Sequence, residues 1–328
     1  MIPNRILVIQ TAFIGDVILT TSIVENLKAK FPNAQIDFLL RKGNEQLFEN
    51  NPHVANLLIW DKKNDKLKNL IKVIKLVRKN KYDLLINLQR YLSTGLFSFF
   101  SKARYKVGYS QNPLSFSYNE KIPHVMSSGQ HDIERNNQLI RSFTEDKAAK
   151  PKLYPTEAHY EKVKSYKTDK FITIAPASVW FTKQFPKSKW IEFLDQFQFD
   201  GNIYFVGAPG DSTLCNEIIE AASKEKCINL CGKMSLLESA ALMQDAEMNY
   251  VNDSAPQHIC SALNAPVTTI FCSTIPEFGF GPLSTNSRVV QTDKQLDCRP
   301  CGLHGYKNCP KGHFDCALSI DVTELNLV

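Results

Sequence analysis

The sequence of 328 residues lacks the features that mark membrane and secreted proteins. It has no uncharged apolar run of the roughly 18 residues that a spanning helix needs, since the nearest, Leu84–Phe100, contains Gln89 and Arg90. The apolar start of the chain is too short for a signal peptide, and Asp16 interrupts it. Its nine cysteines are odd in number and absent before Cys215, unlike a secreted disulfide framework. We expect a cytoplasmic protein with reduced thiols.

Two ligand-binding motifs are also missing. No G-x-G-x-x-G follows the first predicted strand, so the dinucleotide fingerprint is absent there. The chain has no D-x-D, the usual carboxylate pair for a metal-bound diphosphate. We therefore expect neither a required cofactor nor a metal. The net charge of +6 is mild, and basic and aromatic residues do not interleave, which counts against a nucleic-acid partner.

The length suggests two domains, because a single core rarely serves more than about 250–300 residues. Strands alternate with helices in both halves, which is typical of doubly wound α/β domains. The strands are predicted at Arg5–Gln10, Gln35–Leu40, Asn56–Trp60, Tyr82–Asn87, Phe171–Ala175, Asn202–Val206, Glu247–Val251 and Val267–Cys272. A polar segment with two prolines separates the halves. We predict domains over residues 1–150 and 170–328, joined by a linker over 151–169.

The stretch Tyr250–Leu263 is the centre of the second half. It reads as the end of a buried strand, a polar turn and a helix that begins at Pro256. Asp253 and Ser254 are ordinary N-cap residues, so a well-capped turn explains the pattern by itself. The same turn directs free N–H groups and the positive end of a helix dipole at one point, which suits a phosphate.

Two further loops follow strands of the same predicted sheet. The loop APASVWFTKQFP offers hydroxyls and an ammonium from Ser178, Thr182 and Lys183, which suit a pyrophosphate. The turn GAPGD carries Asp211, whose carboxylate could hold a ribose diol. The carboxyl ends of parallel strands share one edge of a sheet. The three loops therefore predict a nucleotide site.

The first half carries three patterns that each allow two interpretations. Asp16 follows the first strand, where it either caps the next helix or presents a carboxylate to a ligand. The lysine-rich helix over 66–81 is either a solvated outer face or a surface for anionic membrane. His131 and Arg135 are four residues apart and share a helix face. They either bind an anionic acceptor or are surface residues without a function.

Five segments together resemble glycosyltransferase family 9, the bacterial lipopolysaccharide heptosyltransferases. They are FIGDVILTTSIVENL, APASVWFTKQFP, GAPGD, GKMSLLE and NDSAPQHICSALNAPV. The resemblance implies the GT-B architecture, with two Rossmann-like domains facing a cleft, the donor in the C-terminal one and the acceptor in the N-terminal one. It implies metal-free, inverting transfer of heptose from ADP-heptose to the lipopolysaccharide inner core. It further implies a monomer in peripheral contact with the cytoplasmic face of the inner membrane.

The resemblance also assigns roles to single residues. Asp16 would be the base that deprotonates the acceptor, and Lys183 would neutralise the departing diphosphate. The residues assigned to donor binding are Ser178, Thr182, Asp211, Met234, Asp253, Ser254, Ala255 and His258. Among them, Asp253, Ser254 and Ala255 would offer main-chain N–H groups, Met234 would contact adenine, and Asp211 would bind ribose. His131 and Arg135 are kept as candidates for the acceptor.

The end of the chain is rich in cysteine. Cys298, Cys301, Cys309 and Cys316 are accompanied by two histidines, His304 and His313. The first pair has the C-x2-C spacing of a structural zinc site, whereas the later spacing does not. Packed or solvent-facing thiols are the alternative. A zinc-bound tail would favour a nucleic-acid-binding module over a transferase. A further alternative to the transferase is a protein of the same fold that binds or epimerises a nucleotide sugar without transferring it.

Overall fold

The computed structural model describes residues 2–126, 129–144 and 147–326. The chain divides into an N-terminal unit, Met1–Tyr154, and a C-terminal unit, Pro155–Val328. The predicted linker contains a helix, Glu157–Val163, that packs within the C-terminal unit. The end of the first predicted domain includes residues 145–146, and the end of the second includes residues 327–328. These four residues lie outside the described residues.

The N-terminal unit is built on a parallel sheet in the order β3-β2-β1-β4-β5-β6. Its strands are β1 (Arg5–Ile9), β2 (Gln35–Arg41), β3 (Val54–Trp60), β4 (Leu84–Asn87), β5 (Tyr105–Tyr109) and β6 (Glu120–Ile122). Its helices are α1 (Ile14–Lys30), α2 (Lys66–Asn80), α3 (Leu92–Phe100) and α4 (Asp132–Asn137). The apolar runs of β1 and β4 are buried because helices cover both faces of such a sheet.

The C-terminal unit repeats this plan in the order β12-β11-β10-β7-β8-β9. Its strands are β7 (Phe171–Ala175), β8 (Asn202–Phe205), β9 (Cys227–Asn229), β10 (Asn249–Asn252), β11 (Val267–Phe271) and β12 (Ser287–Gln291). Its helices are α5 (Glu157–Val163), α6 (Lys187–Gln196), α7 (Ser212–Ala221), α8 (Leu236–Gln244), α9 (Ala255–Leu263) and α10 (Asp315–Leu318). Aromatic side chains of α6 and β10 pack together in its core.

Each unit has a point where the strand order reverses. In the N-terminal unit, β2 and β3 extend the sheet on one side of β1, and β4, β5 and β6 extend it on the other. In the C-terminal unit, β8 and β9 lie on one side of β7, and β10, β11 and β12 lie on the other. Ligands of doubly wound folds bind beyond the carboxyl ends of the strands at these switch points. The loops after β1, β7 and β10 are therefore where function is expected.

The predicted doubly wound α/β class is confirmed. The strands that the sequence did not predict are β5, β6, β9 and β12, which are short or mix polar with apolar residues. No helix among the described residues is both long and apolar enough to cross a bilayer.

Candidate active site

A buried ion pair occupies the switch point of the C-terminal unit. Lys183 ends a 3₁₀ turn, Phe181–Lys183, in the loop after β7, and Asp253 follows the last residue of β10. The Lys183 ammonium lies 2.7 Å from Asp253 Oδ2, and their side chains are only 15% and 6% exposed. The Thr274 hydroxyl donates to the same oxygen at 2.6 Å. Asp253 therefore fixes the lysine with its side chain.

The loop that carries Lys183 is held at both ends by Asn252, the last residue of β10. The Asn252 side-chain amide donates to the Pro176 carbonyl at 2.7 Å, and its carbonyl accepts from the Phe185 main-chain N–H at 2.9 Å. Asn252 is fully buried. Two hydrogen bonds inside the core thus set where this loop leaves and rejoins the fold.

The N-terminus of α9 lies directly after Asp253. The helix begins at Ala255 rather than at Pro256, and Ser254 is its N-cap residue. The main-chain N–H of Asp253 donates to the Ile270 carbonyl at 3.1 Å, so this group already has a partner within the fold, and its binding to phosphate stays a prediction. Ser254 and Ala255 are half-buried at the positive end of the helix dipole. His258 is buried one turn further along α9.

The other predicted donor residues lie at the same edge of the sheet. Ser178 and Thr182 follow β7, Asp211 follows β8, and Met234 follows β9. Ser178 is half-buried, and its carbonyl accepts from the Gln184 side chain at 2.6 Å. Asp211 accepts from the Ala208 N–H at 2.8 Å and so closes its own turn. This bond occupies Oδ2 of the carboxylate predicted to hold ribose.

Thr182 is buried, and its hydroxyl oxygen accepts two hydrogen bonds. They come from the Tyr306 main-chain N–H at 2.8 Å and from the Ser273 hydroxyl at 3.0 Å. A hydroxyl has two acceptor sites and one proton. Thr182 therefore connects the Lys183 loop to Tyr306 and Ser273, and its hydroxyl can bind a ligand only as a hydrogen-bond donor.

In the N-terminal unit, Asp16 lies in the first turn of α1. The N-cap residue of this helix is Phe13, so the interpretation of Asp16 as the N-cap is wrong. The apolar periodicity gave no reason to begin the helix as early as Ile14. Asp16 is half-buried at the end of β1, where the helix dipole favours its carboxylate.

Two cations that the sequence did not single out lie at the same sheet edge. Burial lowers the pKa of Arg41, and the charge of Asp16 partly offsets this. Burial, followed by repulsion from Arg41 and Lys66, lowers the pKa of Lys62 to about 8. The Lys62 ammonium donates to the Thr11 carbonyl at 2.7 Å. Arg41 is the last residue of β2 and Lys62 follows β3, and this position at the carboxyl ends of strands is the signal that would have found them.

His131 and Arg135, the candidates for the acceptor at the start of α4, are not exposed as a site for an anionic acceptor would require. Arg135 is 2% exposed and forms a salt bridge of 3.1 Å with Asp132, because its position faces the interior of the unit. His131 is the N-cap residue of α4, and its ring nitrogen accepts from the Ile133 N–H at 3.3 Å. Both side chains stabilise the start of the helix. The expected exposure of Arg135 is wrong, and its assignment to an acceptor stays a prediction.

The cysteine-rich tail surrounds a small cavity. All nine cysteines are free thiols. Cys298, Cys301, Cys309, Cys316 and His313 line a cavity of about 210 Å³. Burial raises the pKa of Cys316 to about 12, with a smaller contribution from the neighbouring thiols. Within the part of the chain that the structure describes, no three or more His, Cys, Asp or Glu side chains are arranged to hold a metal ion.

Two doubly wound units, one of which presents a buried lysine and a helix N-terminus at its switch point, are typical of proteins that bind nucleotides through their phosphates. The chain belongs to glycosyltransferase family 9. The sequence profile described as Glycosyltransferase family 9 (heptosyltransferase) matches residues 70–306. The resemblance drawn from the five segments is confirmed, and family membership makes the protein a glycosyltransferase.

Similar proteins cover most of the chain. Lipopolysaccharide heptosyltransferase 3 of Escherichia coli is 27% identical over 279 residues, which span 80% of this chain and 82% of the relative. The glycosyl transferase family 9 structure from Veillonella parvula matches with a TM-score of 0.86 at 21% identity, covering 98% of this chain and 95% of that one. E. coli heptosyltransferase WaaC, solved with ADP-2-deoxy-2-fluoro heptose, matches with a TM-score of 0.72 at 18% identity, covering 88% and 93%. The structural matches show a shared fold.

Proposed function

We propose that the protein transfers a heptose from ADP-heptose to the core of lipopolysaccharide, with inversion at the anomeric carbon. The observation that carries the proposal is the Lys183–Asp253 pair at the switch point, beside the N-terminus of α9. The names of the relatives, a lipopolysaccharide heptosyltransferase and a heptosyltransferase solved with an ADP-heptose analogue, support the choice of donor and acceptor.

In this proposal the diphosphate binds to Lys183 and to the N-terminus of α9. An ammonium has three donors, so the bond to Asp253 leaves two for phosphate oxygens. Ser254 and Ala255 add main-chain N–H groups. The remaining contacts to the donor are assigned to Ser178, Asp211, Met234 and His258.

The reaction is a single displacement. The acceptor hydroxyl oxygen bonds to the anomeric carbon while the bond from that carbon to the diphosphate oxygen breaks. The hydroxyl proton passes to the Asp16 carboxylate, which acts as general base. ADP leaves with the bonding electrons, and Lys183 and the helix dipole stabilise its growing charge. A fixed cation in this role makes a metal ion unnecessary.

Donor turnover tests the proposal directly. Purified protein is mixed with ADP-heptose and a core acceptor that ends in Kdo or heptose, and ADP release is followed. We expect release that depends on the acceptor and persists in EDTA. Binding of ADP-heptose without transfer to either acceptor would favour a nucleotide-sugar-binding protein, and an absence of binding would contradict the proposed donor.

We propose further that the N-terminal unit contacts an anionic bilayer, where the lipid-linked acceptor resides. Helix α2 contains six cations and no acid, and its Leu67 and Ile71 are 73% and 52% exposed. It packs on α3, whose Phe99 and Phe100 are both 41% exposed. Exposed apolar groups beside cations are typical of surfaces that lie on anionic lipid. Together these residues support peripheral attachment at the cytoplasmic face of the inner membrane.

Replacing Lys68 and Lys72 with alanine should weaken binding to phosphatidylglycerol-containing vesicles by about 30-fold, because each lysine near such a surface contributes about 1 kcal/mol. Both lysines are exposed on α2. Co-sedimentation at 0.1 M and 0.5 M salt measures the effect, which salt should reduce. The control is Lys162→Ala, an exposed lysine of the C-terminal unit. Equal losses in both variants would argue against α2 as the contact.

A further inference from the structure

We propose that the tail segment, residues 299–306, is a positioning element that sets the location of the Lys183 ammonium. The inference rests on the proposed function, in which Lys183 holds the donor diphosphate. It assigns a role to part of the cysteine-rich tail that does not itself touch the substrate. Two sets of contacts connect this segment to Lys183 and to its partner Asp253.

The first set is direct. The Thr182 N–H donates to the Tyr306 carbonyl at 3.1 Å, and the Tyr306 N–H donates to the Thr182 hydroxyl at 2.8 Å. Gly305 has a φ of +75° and lies so close that an added Cβ would be 2.8 Å from Thr182 Oγ1 and 3.0 Å from Lys183 Cγ. The backbone of the tail segment therefore forms the surface against which the stem of Lys183 rests.

The second set acts through the segment after β11. Arg299 donates to the main-chain carbonyls of Phe271, Cys272 and Thr274 at 2.8–3.2 Å. The Cys301 N–H donates to the Ser273 carbonyl at 2.8 Å. These bonds fix the backbone of Thr274, whose hydroxyl in turn holds Asp253.

Both members of the ion pair thus depend on the same segment. Gly305 and Tyr306 hold the lysine from one side, and Arg299 holds the carboxylate through Thr274. An ammonium on a four-carbon stem has many rotamers of similar energy. The tail segment removes that freedom and so presents a fixed positive charge to the leaving diphosphate, as electrostatic stabilisation requires.

The tail provides a matched pair of glycines for the test. Gly312 has a φ of +77°, nearly that of Gly305, but no described atom would lie within 4 Å of its Cβ. Alanine at either position meets the same backbone strain, whereas only Gly305→Ala pushes on Thr182 and Lys183. Because a misplacement of about 1 Å can cost about 100-fold in rate, we expect Gly305→Ala to lower kcat/KM by about 10- to 100-fold and Gly312→Ala to have little effect.

Two readouts separate positioning from a general loss of structure. In a Lys183→Met background, Gly305→Ala should weaken ADP binding no further, because it acts through the missing ammonium. In the protein without ligand, Gly305→Ala should raise acetylation of Lys183 several-fold, measured by peptide mass spectrometry, while Gly312→Ala should not. The inference would be overturned if Gly305→Ala and Lys183→Met lowered ADP affinity additively. It would also be overturned if Lys183 were acetylated equally in Gly305→Ala and Gly312→Ala.

The labelling readout needs no ligand, so it decides the inference even if the protein fails to bind ADP and the proposed function is wrong. If Gly305→Ala does not fold, Thr182→Val replaces it, since valine removes the hydroxyl that accepts from Tyr306 without backbone strain. Thr182→Val should raise Lys183 labelling, and Thr182→Ser, which keeps the hydroxyl, should not. Unchanged labelling in Thr182→Val would contradict the inference.

Discussion

Replacing Lys183 with methionine should reduce turnover by about 100- to 1,000-fold, the usual effect of removing one preorganised group that stabilises developing negative charge. Methionine keeps much of the apolar stem and removes the ammonium that lies 2.7 Å from Asp253. ADP affinity should fall as well, because the charge also contacts the diphosphate in the ground state. Steady-state ADP release and calorimetric ADP binding measure the two effects.

The same substitution should also destabilise the protein, and this loss of stability must be distinguished from the loss of catalysis. Asp253 is 6% exposed and would lose its cation, and breaking a buried pair from one side costs about 3–5 kcal/mol. The double variant Lys183→Met, Asp253→Asn removes both charges. We expect it to recover most of the free energy of unfolding but none of the turnover.

Lys187 supplies the matched control. It lies four residues further along the chain, at the start of α6, and pairs with Glu217 at 2.9 Å, with both side chains about half exposed. Lys187→Met should cost less than about 1 kcal/mol, as surface pairs do, and should leave turnover unchanged. Full activity in Lys183→Met, or activity restored in the double variant, would show that Lys183 is not required for catalysis.

Much of the arrangement of the candidate donor site could be predicted because its residues follow strands that are easy to recognise. Strands β7 and β10 end at Ala175 and Asn252. Lys183 lies eight residues after the first, and Asp253 directly follows the second. The rule that carboxyl ends of parallel strands share an edge then places the two loops together. The same rule applied after β11 would have found Ser273 and Thr274.

The contacts between the tail and the Lys183 loop could not be predicted. The bond from Tyr306 to Thr182 joins residues 124 positions apart, and neither residue type signals the pairing. The burial of Arg135 could not be predicted for a related reason. Helical spacing shows which residues share a face but not whether that face points to solvent, and here Arg135 points into the unit and pairs with Asp132.

Asp16 should be essential for transfer and dispensable for donor binding. General base catalysis contributes about 100- to 10,000-fold, so Asp16→Asn should lower kcat by that order while the Kd for ADP stays unchanged. Asparagine keeps the size of the side chain in the first turn of α1. It gives up the charge–dipole term, about 0.3–1 kcal/mol, and the attraction between the Asp16 carboxylate and Arg41. The thermal midpoint should therefore shift by a few degrees at most.

Asp65→Asn is the appropriate control for this experiment. Asp65 is an exposed carboxylate of the same unit at the N-cap of α2, with a φ of +39° that asparagine tolerates well. It should keep full turnover. If Asp16→Asn retains wild-type kcat, the base is another group. If it instead loses ADP affinity in proportion to its activity, Asp16 contributes to donor binding, because a group that acts only on the acceptor proton leaves the affinity for the product nucleotide unchanged.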